Sequence, residues 1–140
     1  MRGSHLLQHW SSTQTTVALS SGEAELSGIC RGASKGLGLQ SLCRDLGWHF
    51  PLTVLTDATA AIGICRRRGL GKIRHLAVAD LWVQDKVRAR DFALQKVPGK
   101  LNPADILTKH VEAPLLHQHL AHMHLSFESG RADSAPALTH

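Results

Sequence analysis

The sequence predicts an α/β domain: a small sheet of three parallel strands flanked by helices. Three observations carry that expectation. Strand-like and helix-like patterns follow one another in the order β-α-β-α-α-β-α, which parallel sheets with helical crossovers require. The run "LTVLTD" (52–57) is almost continuously apolar, as strands buried on both faces are. A chain of 140 residues supplies one core of useful size and not two.

The elements are justified in chain order. "HLLQHWSSTQTTVALSS" (5–21) is rich in Thr, Val and Leu with partial alternation and reads as one long or bent strand. Ser20 or Ser21 can cap the following helix, whose dipole favours acids in its first turn. From Glu23 to about Leu46, a stripe of Leu26, Ile29, Ala33, Leu37, Leu42 and Leu46 marks an amphipathic helix ended by "LGWHFP". Gly28, Gly32 and Gly36 form a second row along it. Each costs about 1 kcal/mol of helix propensity against Ala, so close backbone packing is the expected compensation.

After the strand at 52–57 come a short helix, "ATAAIGICRR" (58–67), and a basic loop, "RRRGLGKIR" (66–74). "HLAVADLWVQDKVRARD" (75–91) reads as a longer helix with Leu76, Ala79, Val83 and Val87 on one side, and "FALQKVPG" (92–99) as the third strand. "NPADILTK" (102–109) reads as a helix with Asn102 as cap and Pro103 in its first position. The expected organisation is a principal domain over 1–112 and a His-rich helical extension with a frayed tail over 113–140.

Sixteen Lys and Arg against eleven Asp and Glu give a net charge of +5, which favours a polyanionic partner. Three Trp, three Phe and no Tyr argue against a base-stacking platform. No apolar run approaches the ~18 residues of a membrane span, so no membrane partner is expected. Cys30, Cys43 and Cys65 lack paired spacing and read as free thiols of a reducing compartment.

Three acids stand at element ends. Asp57 closes the second strand, and carboxyl ends of parallel strands are where open α/β sheets bind ligands. Asp105 lies in the first turn of the helix at 102–109. Glu23 and Glu25 lie about 200° apart around their helix, so only one can face a given site. Glu25, next to Leu26 of the buried stripe, is placed at the edge of the sheet-facing side. Hard oxygen ligands on separate elements suit Mg²⁺. Each acid also has a plain use: Asp57 as a helix cap, Asp105 as a partner of a helix dipole, Glu25 as a solvated surface group. Spacing alone leaves both readings open.

"TVALSSGEAEL", "LTVLTDATAAI", "KIRHLAVADLWVQDKV" and "LQKVPGKLNPADILTKH" occur in this order, and together they resemble the ribonuclease H domain of copia-type retrotransposon polyproteins. The resemblance covers roughly residues 3 to 112. It implies a ribonuclease H-like mixed sheet and hydrolysis of the RNA strand of RNA–DNA hybrids with two Mg²⁺ ions, Mn²⁺ being able to substitute. It assigns metal ligation and catalysis to Glu25, Asp57 and Asp105, and leaves Glu23 as a first-turn surface acid. A fourth ligand in that family, an Asp on its first strand, has no counterpart here. The family's first two strands would precede "HLLQHW", where only Met1 to Ser4 stand, so the sheet is expected to be truncated.

On this reading the activity of the chain alone is weak or lost, and the alternative is a catalytically dead, nucleic-acid-binding remnant of the transposon. Ala58 after the strand-end Asp and Ala77 after "IRH" replace polar residues usual in the family. Arg66, Arg67, Arg68, Lys72 and Arg74 place five cations in nine residues, a candidate contact with the phosphates of the hybrid; His75 follows them. Shape and 2′-hydroxyls, rather than sequence, are the expected basis of recognition. The upstream reverse transcriptase part of the polyprotein is a further expected partner, and the lineage implies an intracellular location, cytoplasmic or nuclear. His110, His117, His119, His122 and His124 lack the tight spacing of a strong zinc motif and read as a polar helix face.

Overall fold

Capping and periodicity agree best in the first helix, and there the longest element forms. In the computed structural model, which describes residues 5–12, 18, 20–69 and 81–127, helix α1 spans Ser21–Asp45. Ser20 is its N-cap: extended in backbone, it accepts from the Glu23 amide through its hydroxyl at 3.3 Å. The far end closes at Gly47, whose φ of +82° suits glycine. Its amide donates to the Arg44 carbonyl at 2.9 Å, and that of Trp48 to the Cys43 carbonyl at 2.8 Å.

Leu26, Ile29, Cys30 and Ala33 of α1 are buried, and Leu37 packs against the same core. The expected stripe is covered only that far, because Leu42 and Leu46 are exposed. The glycine row behaves differently from expectation. A Cβ at Gly36 would lie 2.7 Å from Leu52 Cδ1, whereas Gly28 and Gly32 have nothing within 4 Å among the described residues. Among the described residues, close packing therefore accounts for Gly36 alone. Gly28→Ala and Gly32→Ala are each expected to stabilise the fold by about 0.5–1 kcal/mol. Gly36→Ala should gain nothing or lose stability, a difference in sign that thermal or urea unfolding of the three variants reads directly.

Strands β1 (Thr53–Thr56) and β2 (Ala93–Lys96) pair in parallel, in register from Thr53 opposite Ala93 to Thr56 opposite Lys96. The ladder runs one bond past each end, from the Ala93 amide to the Leu52 carbonyl at 2.9 Å and from the Val97 amide to the Thr56 carbonyl at 3.0 Å. Among the described residues the sheet has these two strands and not three. Of the expected strand at 5–21, residues 6–12 form no strand, and 13–17 and 19 lie outside the described residues. The physical reason lies in composition: "LLQHWSS" contains no β-branched residue, and the Thr and Val that suggested a strand fall at 13–17.

The crossover between β1 and β2 carries α2 (Thr59–Arg66) and α3 (Trp82–Arg88). Residues 75–80 of the longer helix expected there lie outside the described residues. Ala61, Ile62, Ile64 and Cys65 of α2 join Val83, Phe92, Leu94 and the buried face of α1 in one core. None of the three cysteines is in a disulfide. Burial pushes the Cys65 thiol up to about 11, so it stays protonated and acts as a small apolar side chain.

Two compact units can be distinguished. One, Ser12–Asn102, holds the sheet, α1 to α3 and a 3₁₀ turn at Gly99–Leu101. The other comprises Met1–Ser11 and Pro103–His140. Within it, Pro103–Leu107 forms a 3₁₀ helix where an α-helix over 102–109 was expected. The amides of Thr108 and Lys109 close on the Asp105 carbonyl at 3.1 and 2.9 Å, and a single turn is too short to propagate an α-helix by itself. Helix α4 (Ala113–His122) follows in the same unit and buries His119, with Met123 buried just beyond its end. Residues 128–140 of the expected tail lie outside the described residues. No helix among the described residues is long and apolar enough to cross a membrane.

Candidate functional site

Asp57 stands half-buried at the carboxyl end of β1. The capping use that its position allowed is not made. The N-cap of α2 is Ala58, which has no side-chain cap, and the Ala58 amide donates instead to the hydroxyl of buried Thr56 at 3.2 Å. Among the described residues no hydrogen bond or ion pair engages the Asp57 carboxylate. The last ladder bond, from Val97 to Thr56, brings the exit of β2 alongside it. The 3₁₀ turn then packs so closely that a Cβ on Gly99 would lie 3.2 Å from Asp57 Oδ2. A carboxylate thus borders the carboxyl ends of both parallel strands, with exposed Lys100 next in the turn.

Glu25 is exposed in the N-terminal part of α1, whereas Glu23, held in the first turn by the Ser20 cap, is half-buried. A Cβ at Gly22 would lie 3.4 Å from Ala60 Cβ and 3.8 Å from Ile64 Cδ1. The first turn of α1 therefore lies against α2, the helix that Asp57 precedes. Asp105 belongs to the other compact unit, where Lys109 Nζ reaches both its oxygens, at 3.0 Å (Oδ1) and 3.1 Å (Oδ2). The Asp105 side chain is 22% exposed and that of Lys109 is 61% exposed, so the pair is partly screened and of the kind worth a few tenths of a kcal/mol.

Carboxylate oxygens are the donor chemistry that Mg²⁺ takes, and that of Asp57 is uncommitted among the described residues. The described residues contain no group of three or more His, Cys, Asp or Glu side chains placed to hold one ion. The structure brings the elements of Glu25 and Asp57 together within one unit, and Asp105 belongs to the other.

Of the basic segment, Arg66, Arg67 and Arg68 are described; Lys72, Arg74 and His75 lie outside the described residues. Arg66 is exposed and donates through Nη2 to the Leu94 carbonyl at 3.2 Å, Arg67 is half-buried, and Arg68 is exposed. The residue that the sequence reading missed is Gln84, an amide 4% exposed on α3. Its side chain bonds the backbone on both sides of the arginines, at Ile64 and at Gly69. The signal in "LWVQDKV" was a polar residue adjoining core Val83, which a surface assignment of Gln passes over.

In the unit that holds α4, the rings of His5 and His124 stack at 5.2 Å and His117 meets Phe127 edge-on at 5.5 Å. His110 lies 3.7 Å from Glu112. No protein-family model matches the chain, and no solved structure matches it.

Proposed function

We propose that this chain is a ribonuclease H-like domain of a copia-type retrotransposon polyprotein. It binds RNA–DNA hybrids through its basic segment and carries part of the site for two-metal hydrolysis of the RNA strand. The observation that carries the proposal is Asp57: a carboxylate at the exit of a parallel strand pair, making no side-chain cap to the helix that follows and bordered by a glycine-bearing turn. A purely structural Asp at this position would be spent on the helix that follows it. The ordered sequence motifs support the same reading.

In this account Glu25, Asp57 and Asp105 would hold Mg²⁺, or Mn²⁺ in its place. Bound ions of this kind activate water and stabilise the departing oxygen of an in-line displacement. Within the protein, β1 and the turn at Gly99 fix the Asp57 carboxylate, and the Ser20 cap fixes the start of the helix bearing Glu25. Asp105 must exchange its Lys109 partner for an ion, and the weak, partly exposed pair permits that exchange. Three acids supply fewer ligands than the four that the resemblance implies, so this chain alone is expected to cleave slowly or not at all.

The Asp105–Lys109 pair also favours a second reading, in which the domain binds hybrids without cutting them. Incubating a labelled hybrid with the chain in Mg²⁺ and in Mn²⁺ separates the two. Slow, metal-dependent release of RNA fragments that chelator stops supports the nuclease. Salt-sensitive binding with no cleavage in either metal supports the binding remnant, and neither binding nor cleavage contradicts both.

A further inference from the structure

We infer that Gln84 is a positioning residue that holds the Arg66–Arg68 segment in shape for contact with the backbone of a polyanion. The inference rests on the reading above that this segment meets nucleic acid. An amide buried to this degree is costly unless its bonds are made, and Leu or Met would fill the same space without that cost. Gln84 spends its donors and acceptor on the backbone around the arginines. Nε2 donates to the Ile64 carbonyl at 2.9 Å and to the Gly69 carbonyl at 3.1 Å, and Oε1 accepts from the Gly69 amide at 2.9 Å.

The Ile64 carbonyl belongs to the last turn of α2, where carbonyls lack helical partners. The pair of hydrogen bonds with Gly69 treats that residue as a neighbouring strand would. The arginines are thereby tied before and after, while Arg66 is tied a third time through the Leu94 carbonyl. Gly69 has a φ of +72°, and a Cβ there would meet nothing within 4 Å among the described residues, so its backbone conformation calls for glycine. One Nη2 bond leaves most of the five Arg66 donors for a phosphate, and Arg68 is exposed beside it. Holding the segment in advance lowers the ordering cost that a loose loop would meet on binding.

The test is hybrid binding by the full 140-residue chain, followed by fluorescence anisotropy over a range of salt below the melting temperature of each variant. Gln84→Leu removes the ties. Gly69→Ala opposes the positive φ without touching the core, and Gly69→Asn tolerates it. Gln84→Leu and Gly69→Ala are each expected to bind roughly tenfold more weakly, with Gly69→Asn close to the parent. A role in folding alone would lower the melting temperature and leave the affinity of the folded protein unchanged. If Gln84→Leu does not fold, the two Gly69 variants decide. Parent-like affinity in folded Gly69→Ala, together with weak binding by an Arg66, Arg67 and Arg68 triple Gln variant, overturns the inference and keeps the nucleic-acid reading. Parent-like affinity in the triple variant overturns both.

Discussion

Asp57→Asn is expected to weaken divalent-ion binding by a factor of at least about one hundred, since even residues that only orient ligands cost 10–100-fold when removed. Any hybrid cleavage by the chain should vanish with it. The fold should not change. Asn matches Asp in shape, no described hydrogen bond is lost, and Thr56 keeps the bond to the Ala58 amide. Unfolding free energy should stay within about 1 kcal/mol of the parent, because the half-buried side chain keeps its shape and loses no described bond. Calorimetric Mn²⁺ titration and urea unfolding of the same preparation check both halves. Loss of stability with ion binding intact would make Asp57 a structural residue.

This expectation rests on a distinction that the sequence left open. "LTD" followed by a helix allows Asp57 to be either a cap or a free carboxylate, and the lack of a side-chain cap on α2 separates the two. The two strands and their parallel sense were legible, because a short apolar run and a later strand-like run flanked helical patterns, whereas their direct pairing was not. The cap at Ser20 was legible for the same local reason. Non-local facts were not. The partner that Gly36 meets, Leu52, lies beyond the helix end, and Gly28 and Gly32 look identical to Gly36 in sequence although they meet nothing among the described residues. Gln84 was hidden because its partners, Ile64 and Gly69, lie fifteen to twenty positions away. The 3₁₀ helix at Pro103–Leu107 shows the reverse limit: cap and proline signals marked where a helix begins but did not fix its type.

Replacing Arg66, Arg67 and Arg68 together by Gln should produce the second large effect. If each neutralises one phosphate, the slope of log affinity against log salt should become shallower by about 2 to 3, on the scale of ~0.7–0.9 per contact. At low salt the loss should reach one to two orders of magnitude and should be nearly independent of hybrid sequence, because phosphate contacts carry no base information. Part of the effect will have a structural component. Arg66 also bonds the Leu94 carbonyl, so its removal is expected to cost about 1 kcal/mol of stability, whereas Arg68→Gln alone should leave stability unchanged and still flatten the slope by roughly one contact. Anisotropy at several salt concentrations, with unfolding curves for each variant, separates the charge effect from the structural one.

The claim on which the account depends is that Glu25, Asp57 and Asp105 act on the same ions although they come from distant parts of the chain. Mn²⁺ titration of isotopically labelled protein, followed through paramagnetic broadening of side-chain carboxyl resonances, tests it most directly. The account predicts that the resonances of these three acids broaden together at the lowest ion concentrations, ahead of Glu23 and Asp85. If Asp57 stays sharp while the histidines of α4 broaden, or if the three acids respond at widely separated concentrations, the shared site does not exist in this chain.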